Sequence, residues 1–384
     1  MSLAATASCD VLIVGGGPAG STCARELARS GFDVVIADKA AFPRDKTCAG
    51  WVTPAVVDEL GIDLEEYGSG RTLQPLHGFL VARMGDAAHV HRYDTPVSYG
   101  IRRCEFDHYL LTRSGARVLA GCRIDRIERG ADGWWRAGGV RARVLVGAGG
   151  HFCPVARQIA GAGDAAVVAA QEVEYALDAE ETRLCPIDAR VPELYFTRDL
   201  TGYGWVFRKR DFLNVGLGVR AGSEGPALSA RIGEFLSFLV RSGRLLREPA
   251  ARMKGHAYVL RPDGGRRVFG NGYVLVGDAA ALAYDRSGEG IRPAVESGIV
   301  AASVVAGALR RGRADASDLA PYAEALDRRF GARRRSMMDS QRLLPRGLQR
   351  SLAAALVGTR WFSRRVLLER WFLHMHEPAL SAST

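Results

Sequence analysis

Runs of apolar residues separated by glycines divide the first part of the chain into strands and helices. Residues 11–14 are apolar and mostly β-branched, which is typical of a buried parallel strand. The stretch 18–30 predicts a helix that Gly31 ends. A second apolar strand, 33–37, leads directly to Asp38. The order of strand, glycine turn, helix, strand and acid predicts a dinucleotide-binding βαβ unit.

The glycine turn between the first strand and the helix has the spacing G-x-G-x-x-G, with Gly15, Gly17 and Gly20 at the fixed positions. In this motif the first glycine permits a tight turn and the second lets a pyrophosphate approach the backbone. The third lets the helix pack close to the strand. Free N–H groups at the helix start, around Pro18 and Ala19, favour phosphates. The alternative is a strand–helix turn with a structural role only.

Two further strands that run into glycines are predicted at 144–147 and 273–276. Between them, residues 166–219 show an alternating pattern that indicates a sheet, and a helix is predicted at 226–242. A helix from about Arg292 to Arg311 follows the last strand, so the first domain resumes after the sheet.

The predicted fold class is therefore α/β, in three parts. A discontinuous, Rossmann-like dinucleotide-binding domain takes residues 1–72, 96–165 and 262–312. A β-sheet-rich substrate domain takes residues 73–95 and 166–261, and a basic C-terminal helical segment takes residues 313–384.

Composition narrows the class of protein. The 384 residues are 47% hydrophobic and 24% charged, as in globular proteins, and are enough for two domains. Seven cysteines without a C-x-x-C pair indicate neither a disulfide framework nor a zinc site. His89 and His91 have no third ligand nearby, so we expect surface strand residues and no metal. We expect no signal peptide, because the first strand begins early, and apolar stretches too short for a membrane span. These expectations favour a cytoplasmic protein.

The net charge of +10 is concentrated at the C-terminal end. From Arg310 to Thr384 there are 15 arginines and 7 acids, a net charge of +8, so the rest of the chain carries +2. Apolar pairs such as Trp361-Phe362 alternate with these arginines, which suits an anionic membrane surface. We therefore hypothesise peripheral membrane contact; the alternative is helices that pack on the dinucleotide domain with arginines in solvent. Nucleic acid is not an expected partner, because no binding motif accompanies the charge. The arginines concerned are Arg333, Arg334, Arg335, Arg342, Arg346, Arg350, Arg360, Arg364 and Arg365.

Four short stretches match one family in the same order. They are the glycine turn with Asp38, Arg103-x-x-Phe106-Asp107, Gly277-Asp278-Ala279-Ala280 and Ser287-Gly288-Glu289-Gly290-Ile291. The chain resembles the geranylgeranyl reductase family of FAD-dependent oxidoreductases, which share the p-hydroxybenzoate hydroxylase fold. The resemblance runs from about Val11 to Ala306. It implies FAD as the cofactor, because an NAD-only Rossmann enzyme has no reason for the late Gly277-Asp278 motif. We expect NAD(P)H or another donor to reduce the FAD.

The resemblance also implies which residues hold FAD. The glycine turn and Asp38 bind the ADP half, Arg103 lies along the cofactor, and Asp278 bonds the ribitol. The Ser287–Ile291 loop and the helix after it lie by the flavin ring, where backbone N–H groups stabilise the charge of the reduced ring. The expected FAD-binding residues are Gly15, Gly17, Pro18, Ala19, Gly20, Asp38, Lys39, Lys46, Cys48, Ala49, Arg103, Gly277, Asp278, Ser287, Gly288, Gly290 and Ile291.

An aromatic motif resembles the family's YxWxFP signature, which a GxG follows. Aromatic side chains at alternate strand positions project to one face and would form an apolar wall for a hydrocarbon chain. The expected substrate-binding residues are Tyr203, Trp205, Phe207, Gly216 and Gly218. The alternative is ordinary packing in the core of the sheet domain.

A second motif, Pro43-Arg44-x-Lys46-x-Cys48-Ala49-Gly50, is similar to the family's PRxKxCGG loop. In the family this cysteine lies near the flavin and supports alkene reduction. Arg44 and Lys46 would favour the thiolate of Cys48; the alternative is a passive loop cysteine.

This chain departs from the family's pattern at several positions. Arg208 and Ala49 replace a proline and a glycine of the two motifs, and Gly149 replaces the acid of the usual ADG segment. The proline before the TGEGI-like loop is also missing, with Tyr284-Asp285-Arg286 in its place.

The expected reaction is hydride transfer from reduced flavin to a carbon–carbon double bond of a hydrophobic, isoprenoid-like substrate. Cys48, or a water near Glu289, would supply the proton. The first alternative is an FAD-dependent monooxygenase that hydroxylates its substrate through a flavin hydroperoxide. The second is a non-enzymatic flavin-binding protein that docks on a membrane or a partner.

Overall fold

The structure is a computed structural model, and it describes residues 7–161, 167–220, 226–259, 267–331 and 346–380. The chain forms two compact units. The first unit consists of Met1–Asp45, Cys104–Ala166 and Tyr258–Arg334. The second unit consists of Lys46–Arg103, Val167–Ala257 and Arg335–Thr384.

A largely parallel sheet lies at the centre of the first unit. Its strands follow one another across the sheet in the order Phe269–Gly270, Tyr273–Leu275, Val140–Gly147, Ala7–Val14, Val34–Asp38 and Arg117–Ala120. Neighbours in this order are parallel, except that Phe269–Gly270 is antiparallel to Tyr273–Leu275. The strands Ile127–Arg129 and Trp135–Ala137 extend it antiparallel from Val140–Gly147. The α-helices of this unit are Pro18–Arg29, Arg103–Thr112, Ile291–Arg310 and Ala316–Phe330, with short helical turns at Gly150–Phe152, Ala156–Ala160 and Gly277–Ala280.

The apolar pattern explains this arrangement. Residues 11–13 are fully buried because the strand Ala7–Val14 has parallel neighbours on both sides. The helix Pro18–Arg29 begins after Gly17 with Pro18 in its first turn, and the chain leaves it through Gly31 at a φ of +84°. The predicted turn, helix and second strand are confirmed to within about one residue. The first strand is also confirmed, but it begins at Ala7 and not at Val11.

The helix Ile291–Arg310 corrects one expectation from the sequence. Within the described residues it is long and apolar enough to cross a membrane by length and composition, although we expected apolar stretches too short for this. Of its most apolar window, 72% is buried inside the protein. Its Ala294, Ala301 and Val305 pack in the core of the first unit, which accounts for its apolar character.

The second unit is built on a mostly antiparallel sheet. Its strand order is Lys254–Val259, Val167–Ala176, Phe212–Arg220, Gly202–Lys209, Glu193–Phe196, Gly78–Arg83 and His89–Arg92, with Glu193–Phe196 and Gly78–Arg83 running parallel. A small separate sheet contains Trp51–Val52, Ser98–Ile101 and Leu73–Leu76. The helices are Pro54–Leu60, Leu64–Gly70, Ala179–Leu184, Leu228–Arg241, Arg346–Val357 and Arg360–Phe362, and Ser363–Phe372 forms a wider helical turn.

The two faces of the large sheet differ in chemistry. One face carries aliphatic residues such as Val206 and Val215, which pack with Phe235 and Leu239 of the helix Leu228–Arg241. The opposite face carries aromatic and polar residues, because alternate positions of a strand project to opposite sides. That face holds the predicted substrate-binding residues.

A turn between two strands of this sheet is tied by Asp199. Its carboxylate accepts from the Thr197 and Thr201 hydroxyls and pairs with Arg231 at 2.8 Å. Although partial burial opposes it, the hydrogen bonds from Thr197, Arg231 and Thr201 lower the pKa of Asp199 to about 2.

The predicted C-terminal segment divides between the units. Its first helix, Ala316–Phe330, belongs to the first unit and buries Leu319 and Leu326 in that core, whereas the described helices from Arg346 onward pack within the second unit. Val357, Leu367 and Phe372 are buried in one cluster with Trp51 and Phe207 of that unit. One alternative from the sequence was that these helices pack on the dinucleotide domain. The contacts of Val357, Leu367 and Phe372 lie within the second unit instead. Arg333, Arg334, Arg335 and Arg342, and the side chains of Arg346 and Arg350, lie outside the described residues.

The two units defined by contacts within the protein have borders that differ from the predicted domain borders. The contacts assign residues 46–72 and 96–103, and the described helices from Arg346 onward, to the second unit. The reason is the small sheet, in which Trp51–Val52 and Leu73–Leu76 both pair with Ser98–Ile101. Which unit binds cofactor and which binds substrate stays a prediction.

The expectation that His89 and His91 are surface residues is wrong for His91. Its side chain is fully buried, and its Nε2 lies 2.9 Å from the Ser363 hydroxyl. Burial and the nearby charges of Arg360 and Arg364 lower its pKa to about 4. A C-terminal helix covers this histidine, and a local sequence pattern cannot reveal such a long-range contact.

Candidate active site

The glycine turn of the first unit has the geometry that a dinucleotide motif requires. Gly15 has a φ of +113°, and a Cβ there would lie 2.4 Å from the Ala148 carbonyl oxygen. A Cβ on Gly20 would lie 2.0 Å from the Gly15 oxygen. At Gly17 the nearest neighbour of a Cβ is the Arg44 guanidinium, 3.6 Å away. Gly15 and Gly20 are therefore needed for packing, whereas Gly17 leaves open space at the helix start.

Asp38 holds the same turn from the end of the second strand. Its two carboxylate oxygens accept the N–H of Gly16 at 2.7 Å and the N–H of Ala40 at 2.9 Å. The carboxylate is buried, whereas the neighbouring Lys39 is exposed. The acid at the predicted position thus fixes the loop around the glycines.

Arg44 is a residue of this site that the set of predicted FAD-binding residues omitted. Its guanidinium lies over the Phe42 ring at 4.6 Å from the centroid and pairs with Asp107 Oδ2 at 3.3 Å. Asp107 is fully buried in the helix Arg103–Thr112. The ion pair with Asp107 therefore holds the Arg44 guanidinium next to Gly17, at the open side of the turn. The signal in the sequence was the Pro43-Arg44 pair. From the sequence we interpreted Arg44 only as a residue that favours the Cys48 thiolate.

The second predicted cofactor segment meets the first helix. Gly277 begins a short helical turn, its N–H donates to the Ser297 hydroxyl at 2.9 Å, and a Cβ on it would lie 3.1 Å from the Ala19 Cβ. Asp278 Oδ1 would lie 3.2 Å from a Cβ on Gly290, the residue that precedes the helix Ile291–Arg310. The Asp278 carboxylate therefore lies at a helix N-terminus, where negative charge is favourable.

Backbone hydrogen bonds close the loop before that helix. The Tyr284 N–H donates to the Glu289 carbonyl at 3.0 Å, and the Gly288 N–H donates to the Tyr284 carbonyl at 2.8 Å. Ser287 and Glu289 are buried. The loop thus brings a hydroxyl and a carboxyl group to the start of Ile291–Arg310.

The first unit therefore contains the parts that suit a dinucleotide. A helix N-terminus with open backbone at Gly17 and the Arg44 cation suit a pyrophosphate. Asp38 and Asp278 offer carboxylates for hydroxyl groups, and the positive end of the helix Ile291–Arg310 favours negative charge. These residues fit an FAD molecule.

In the second unit, polar side chains hold the loop of residues 46–50, which we call the Cys48 loop. The Cys48 N–H donates to Glu172 Oε1 at 2.6 Å, and the Cys48 carbonyl accepts from Asn214 Nδ2 at 3.2 Å. The Gly50 N–H donates to Cys48 Sγ at 3.4 Å. Lys46 Nζ lies 2.6 Å from Nε2 of His256.

The expected support of Arg44 and Lys46 for the Cys48 thiolate stays a prediction. Arg44 pairs with Asp107 in the first unit, and Lys46 lies against His256. The Cys48 sulfur accepts a hydrogen bond from the Gly50 N–H.

The other end of the loop is tied to Ile101, whose N–H donates to the Gly50 carbonyl at 2.8 Å, and a charged group binds the Ile101 carbonyl. Lys209 Nζ donates to the Ile101 carbonyl at 3.0 Å and to Glu174 Oε2 at 2.7 Å. Arg102 Nε donates to the second oxygen of Glu174 at 3.0 Å. Although burial opposes it, Lys209 and Arg102 lower the pKa of Glu174.

The aromatic motif forms one face of the sheet. Tyr203, Trp205 and Phe207 lie at alternate positions of the strand Gly202–Lys209 and share a side, which we call the aromatic face. Trp51 lies 5.0 Å from the Phe207 ring and Phe372 lies 5.2 Å from the Tyr203 ring, and Ala49 packs against the same cluster.

Gly216 explains the GxG that follows the aromatic motif. It pairs with Trp205 on one side and with Glu172 on the other. A Cβ on Gly216 would lie 2.3 Å from Trp205 Cζ2 and 2.8 Å from the Glu172 Cβ. Gly216 thus leaves the space that the indole ring occupies. At Gly218 the nearest atom to a Cβ is 3.6 Å away.

The predicted site residues divide between the units. The glycine turn, Asp38, Lys39, the Gly277-Asp278 segment and the loop with Glu289 belong to the first unit. Arg103 lies at the border between two segments, because it begins the helix Arg103–Thr112 whose other residues belong to the first unit. The predicted site residues within the second unit are Lys46, Cys48, Ala49, Tyr203, Trp205, Phe207, Gly216 and Gly218. Glu172 and Asn214 are further site residues that sequence reasoning missed, because only strand register places them beside Cys48.

Comparison with known proteins identifies the family. Residues 10–107 match the family model for FAD-dependent oxidoreductases. A menaquinone reductase of Mycobacterium tuberculosis is 30% identical over 324 residues, covering 78% of this chain and 76% of that protein. A geranylgeranyl diphosphate reductase of Rhodobacter capsulatus is 28% identical over 330 residues, covering 79% and 76%. This chain belongs to the geranylgeranyl reductase family of FAD-dependent oxidoreductases.

Solved structures agree with the fold of the geranylgeranyl reductase family. A geranylgeranyl bacteriochlorophyll reductase-like protein of Thermoplasma acidophilum has a TM-score of 0.73 at 20% identity and covers 92% of both chains. A probable FAD-dependent monooxygenase of Pseudomonas aeruginosa has a TM-score of 0.63 at 20% identity, covering 83% of this chain and 91% of that one. At these identities the likeness concerns the fold alone. The predicted family, fold class and dependence on FAD are confirmed.

Proposed function

We propose that this protein is a reductase that adds hydrogen across a carbon–carbon double bond of a substrate with a polyprenyl chain. The observation that carries the proposal is the aromatic face, whose strands also hold the Cys48 loop through Glu172 and Asn214. The names of the relatives support the substrate class, because menaquinone and geranylgeranyl diphosphate both contain a chain of isoprene units.

On this proposal the first unit holds FAD. The backbone at Gly17 and the Arg44 guanidinium bind the pyrophosphate, and Asp38 and Asp278 accept hydrogen bonds from hydroxyl groups. The helix start at Ile291 would stabilise negative charge on the bound flavin, and Ser287, Gly288 and Gly290 would line this part of the cofactor site. When bound, FAD supplies hydride transfer to the double bond, with NAD(P)H as the proposed source of electrons.

The protein's own residues bind, orient and protonate the substrate. Tyr203 is the half-buried member of the aromatic face, and it offers a hydrocarbon chain an apolar surface beside the cluster in which Trp205 and Phe207 are buried. Two groups are proposed as the proton source, the thiol of Cys48 and the buried carboxyl of Glu289. Either group would donate its proton to the carbon of the double bond that does not receive the hydride.

We also propose a cytoplasmic protein that binds membranes reversibly through its C-terminal helices. Leu352, Leu356, Trp361 and Met375 are exposed apolar side chains of this segment. Exposed arginines such as Arg370 lie in the same segment. Apolar groups among cations favour an anionic lipid surface, where polyprenyl substrates reside. Seven free cysteines also agree with a reducing compartment.

The direct test is an anaerobic incubation of the purified protein with NADH or NADPH and geranylgeranyl diphosphate or menaquinone. Mass spectrometry should show products that have gained a pair of hydrogen atoms for each reduced double bond. A reaction without nicotinamide is the control. An oxygenated product that forms only in air would favour the monooxygenase alternative, and a bound flavin that no donor reduces would favour a non-enzymatic protein. Both results contradict the proposal.

A further inference from the structure

A buried polar network fixes the backbone on both sides of Cys48. Glu172 accepts the Cys48 N–H at 2.6 Å, and Asn214 donates to the Cys48 carbonyl at 3.2 Å. Asn214 Nδ2 also donates to Glu172 Oε2 at 3.1 Å, and Asn214 Oδ1 accepts from Trp205 Nε1 at 2.8 Å. A continuous set of hydrogen bonds therefore joins the Cys48 loop to the aromatic face.

The donors and acceptors in this network have defined directions. The indole nitrogen of Trp205 can only donate, so the oxygen of the Asn214 amide must face it. The NH₂ group of Asn214 therefore faces acceptors only, which are the Cys48 carbonyl, Glu172 Oε2 and, at 3.3 Å, Glu174 Oε2. Since the Cys48 N–H is also a donor, both oxygens of Glu172 must accept, and the carboxylate form satisfies the network. Burial raises the pKa of Glu172, whereas the Cys48 N–H, the Lys209 charge and the Asn214 amide oppose that change.

The fold itself does not require polar residues at these positions. Glu172 is 4% exposed and Asn214 is 1% exposed. Their chain neighbours Val173 and Val215, on the opposite face of the same strands, are buried in an aliphatic cluster. Burying a carboxylate and an amide is costly unless every group finds a partner. Here the partners are the two backbone groups of Cys48 and the indole of Trp205.

We propose that Glu172 and Asn214 are positioning residues that hold Cys48 at a fixed place relative to Trp205. They hold the Cys48 backbone at one position beside the strand that carries Trp205, and so fix the place from which the thiol meets the substrate. The hydrogen-bonded clamp stands on its own geometry, and its role in turnover rests on the proposed function.

Replacing Glu172 by glutamine tests the clamp with little change in shape. Glutamine has a single acceptor oxygen, so its NH₂ group must face either the Cys48 N–H or the Asn214 amide, and one contact is lost. We expect iodoacetamide to alkylate Cys48 about tenfold faster in Glu172→Gln, a factor that corresponds to the loss of one hydrogen bond. Peptide mass spectrometry should show unchanged rates at Cys104, Cys122 and Cys185.

Two further variants separate the clamp from general destabilisation. Trp205→Phe does not touch Cys48 but removes the N–H that orients Asn214, so Cys48 should react faster by a smaller factor. Glu193→Gln is the matched control, because Glu193 is buried in the same sheet and binds Tyr195 and Arg244 instead. It should leave the Cys48 rate at the wild-type value. Trp205→Phe also keeps the test decisive if Glu172→Gln fails to fold.

Turnover provides the second readout. Glu172→Gln should lower kcat for alkene reduction with unchanged FAD content and an unchanged KM for the nicotinamide donor. Wild-type alkylation rates in both variants, or a rate at Cys48 that rises only together with the other cysteines, would overturn the clamp. Faster alkylation in a protein whose wild type reduces no alkene would support the clamp and contradict the proposed function.

Discussion

Replacing Gly216 by alanine should displace Trp205 from the aromatic face. The new Cβ would lie 2.3 Å from Trp205 Cζ2, 2.6 Å from Cε2 and 2.8 Å from the Glu172 Cβ. These distances are far below van der Waals contact, so the indole must move. The movement breaks the hydrogen bond from Trp205 to Asn214. Overpacking costs about 1–3 kcal/mol, and the lost bond adds about 1 kcal/mol. We expect Gly216→Ala to destabilise the protein by about 2–4 kcal/mol.

Gly218→Ala is the matched control for this variant. Gly218 lies on the same strand and the same face, but a Cβ there would have its nearest neighbours at 3.6 and 3.8 Å. Neither glycine has a positive φ, so the comparison isolates the space beside the indole. We expect Gly218→Ala to change the free energy of unfolding by less than about 0.5 kcal/mol.

Urea unfolding followed by tryptophan fluorescence measures both variants. Folded Gly216→Ala should also show altered tryptophan emission and slower alkene reduction, because the aromatic face and the Cys48 clamp are both disturbed. Equal stabilities of the two variants would refute the reasoning. So would a Gly216→Ala protein whose emission and turnover match the wild type.

Other residues give further predictions. Cys48→Ser should lower turnover while leaving flavin content unchanged, as measured by steady-state kinetics and flavin absorbance. Asp278→Ala should weaken FAD retention by about 1.5–3 kcal/mol, because a charge-assisted hydrogen bond is lost, and flavin fluorescence after dialysis measures this. Asp199→Asn should cost about 1–2 kcal/mol at neutral pH, allowing for the screening of a partly exposed group. Because the pKa of Asp199 falls from 3.8 to about 2 on folding, this stability is present above about pH 4 and is lost towards pH 2. The double variant Trp361→Ser with Arg370→Ala should reduce binding to anionic vesicles, and salt should weaken binding of the wild type.

Specific outcomes would contradict each of these predictions. A Cys48→Ser protein with wild-type turnover makes the cysteine structural, and an Asp278→Ala protein that keeps FAD through dialysis removes Asp278 from the cofactor site. A stability difference for Asp199→Asn that persists unchanged at pH 2 would reject the assigned hydrogen bonds. Equal binding to anionic and neutral vesicles would reject the membrane proposal.

The local pattern of the sequence predicted the first unit well. The strand, turn and helix around Gly15 and Gly20 are determined by residues that are close together in the sequence. The apolar run and the glycine spacing are compatible with few other local structures. The late Gly277-Asp278 segment was also predictable, since buried parallel strands that end in glycine have a distinctive pattern.

Contacts between distant strands were not predictable in the same way. In the sequence, Glu172 and Asn214 look like ordinary polar residues of strands with an alternating pattern. Only the register of the sheet places them beside Cys48. The same holds for His91, which a C-terminal helix buries. Arg44 was visible in a motif, but its place beside Gly17 depends on the ion pair with Asp107. Contacts between residues that are far apart in the sequence therefore account for most of the site features that the sequence did not predict.

The central claim is that the protein transfers hydride to a polyprenyl double bond. A single-turnover experiment tests it most directly: the protein is reduced anaerobically, excess donor is removed, and geranylgeranyl diphosphate is added in a stopped-flow instrument. We predict that the visible absorption of oxidised flavin returns as the substrate gains a pair of hydrogen atoms, at a rate that depends on substrate concentration. A flavin that stays reduced with geranylgeranyl diphosphate and with menaquinone, and is reoxidised only by oxygen, would contradict the account.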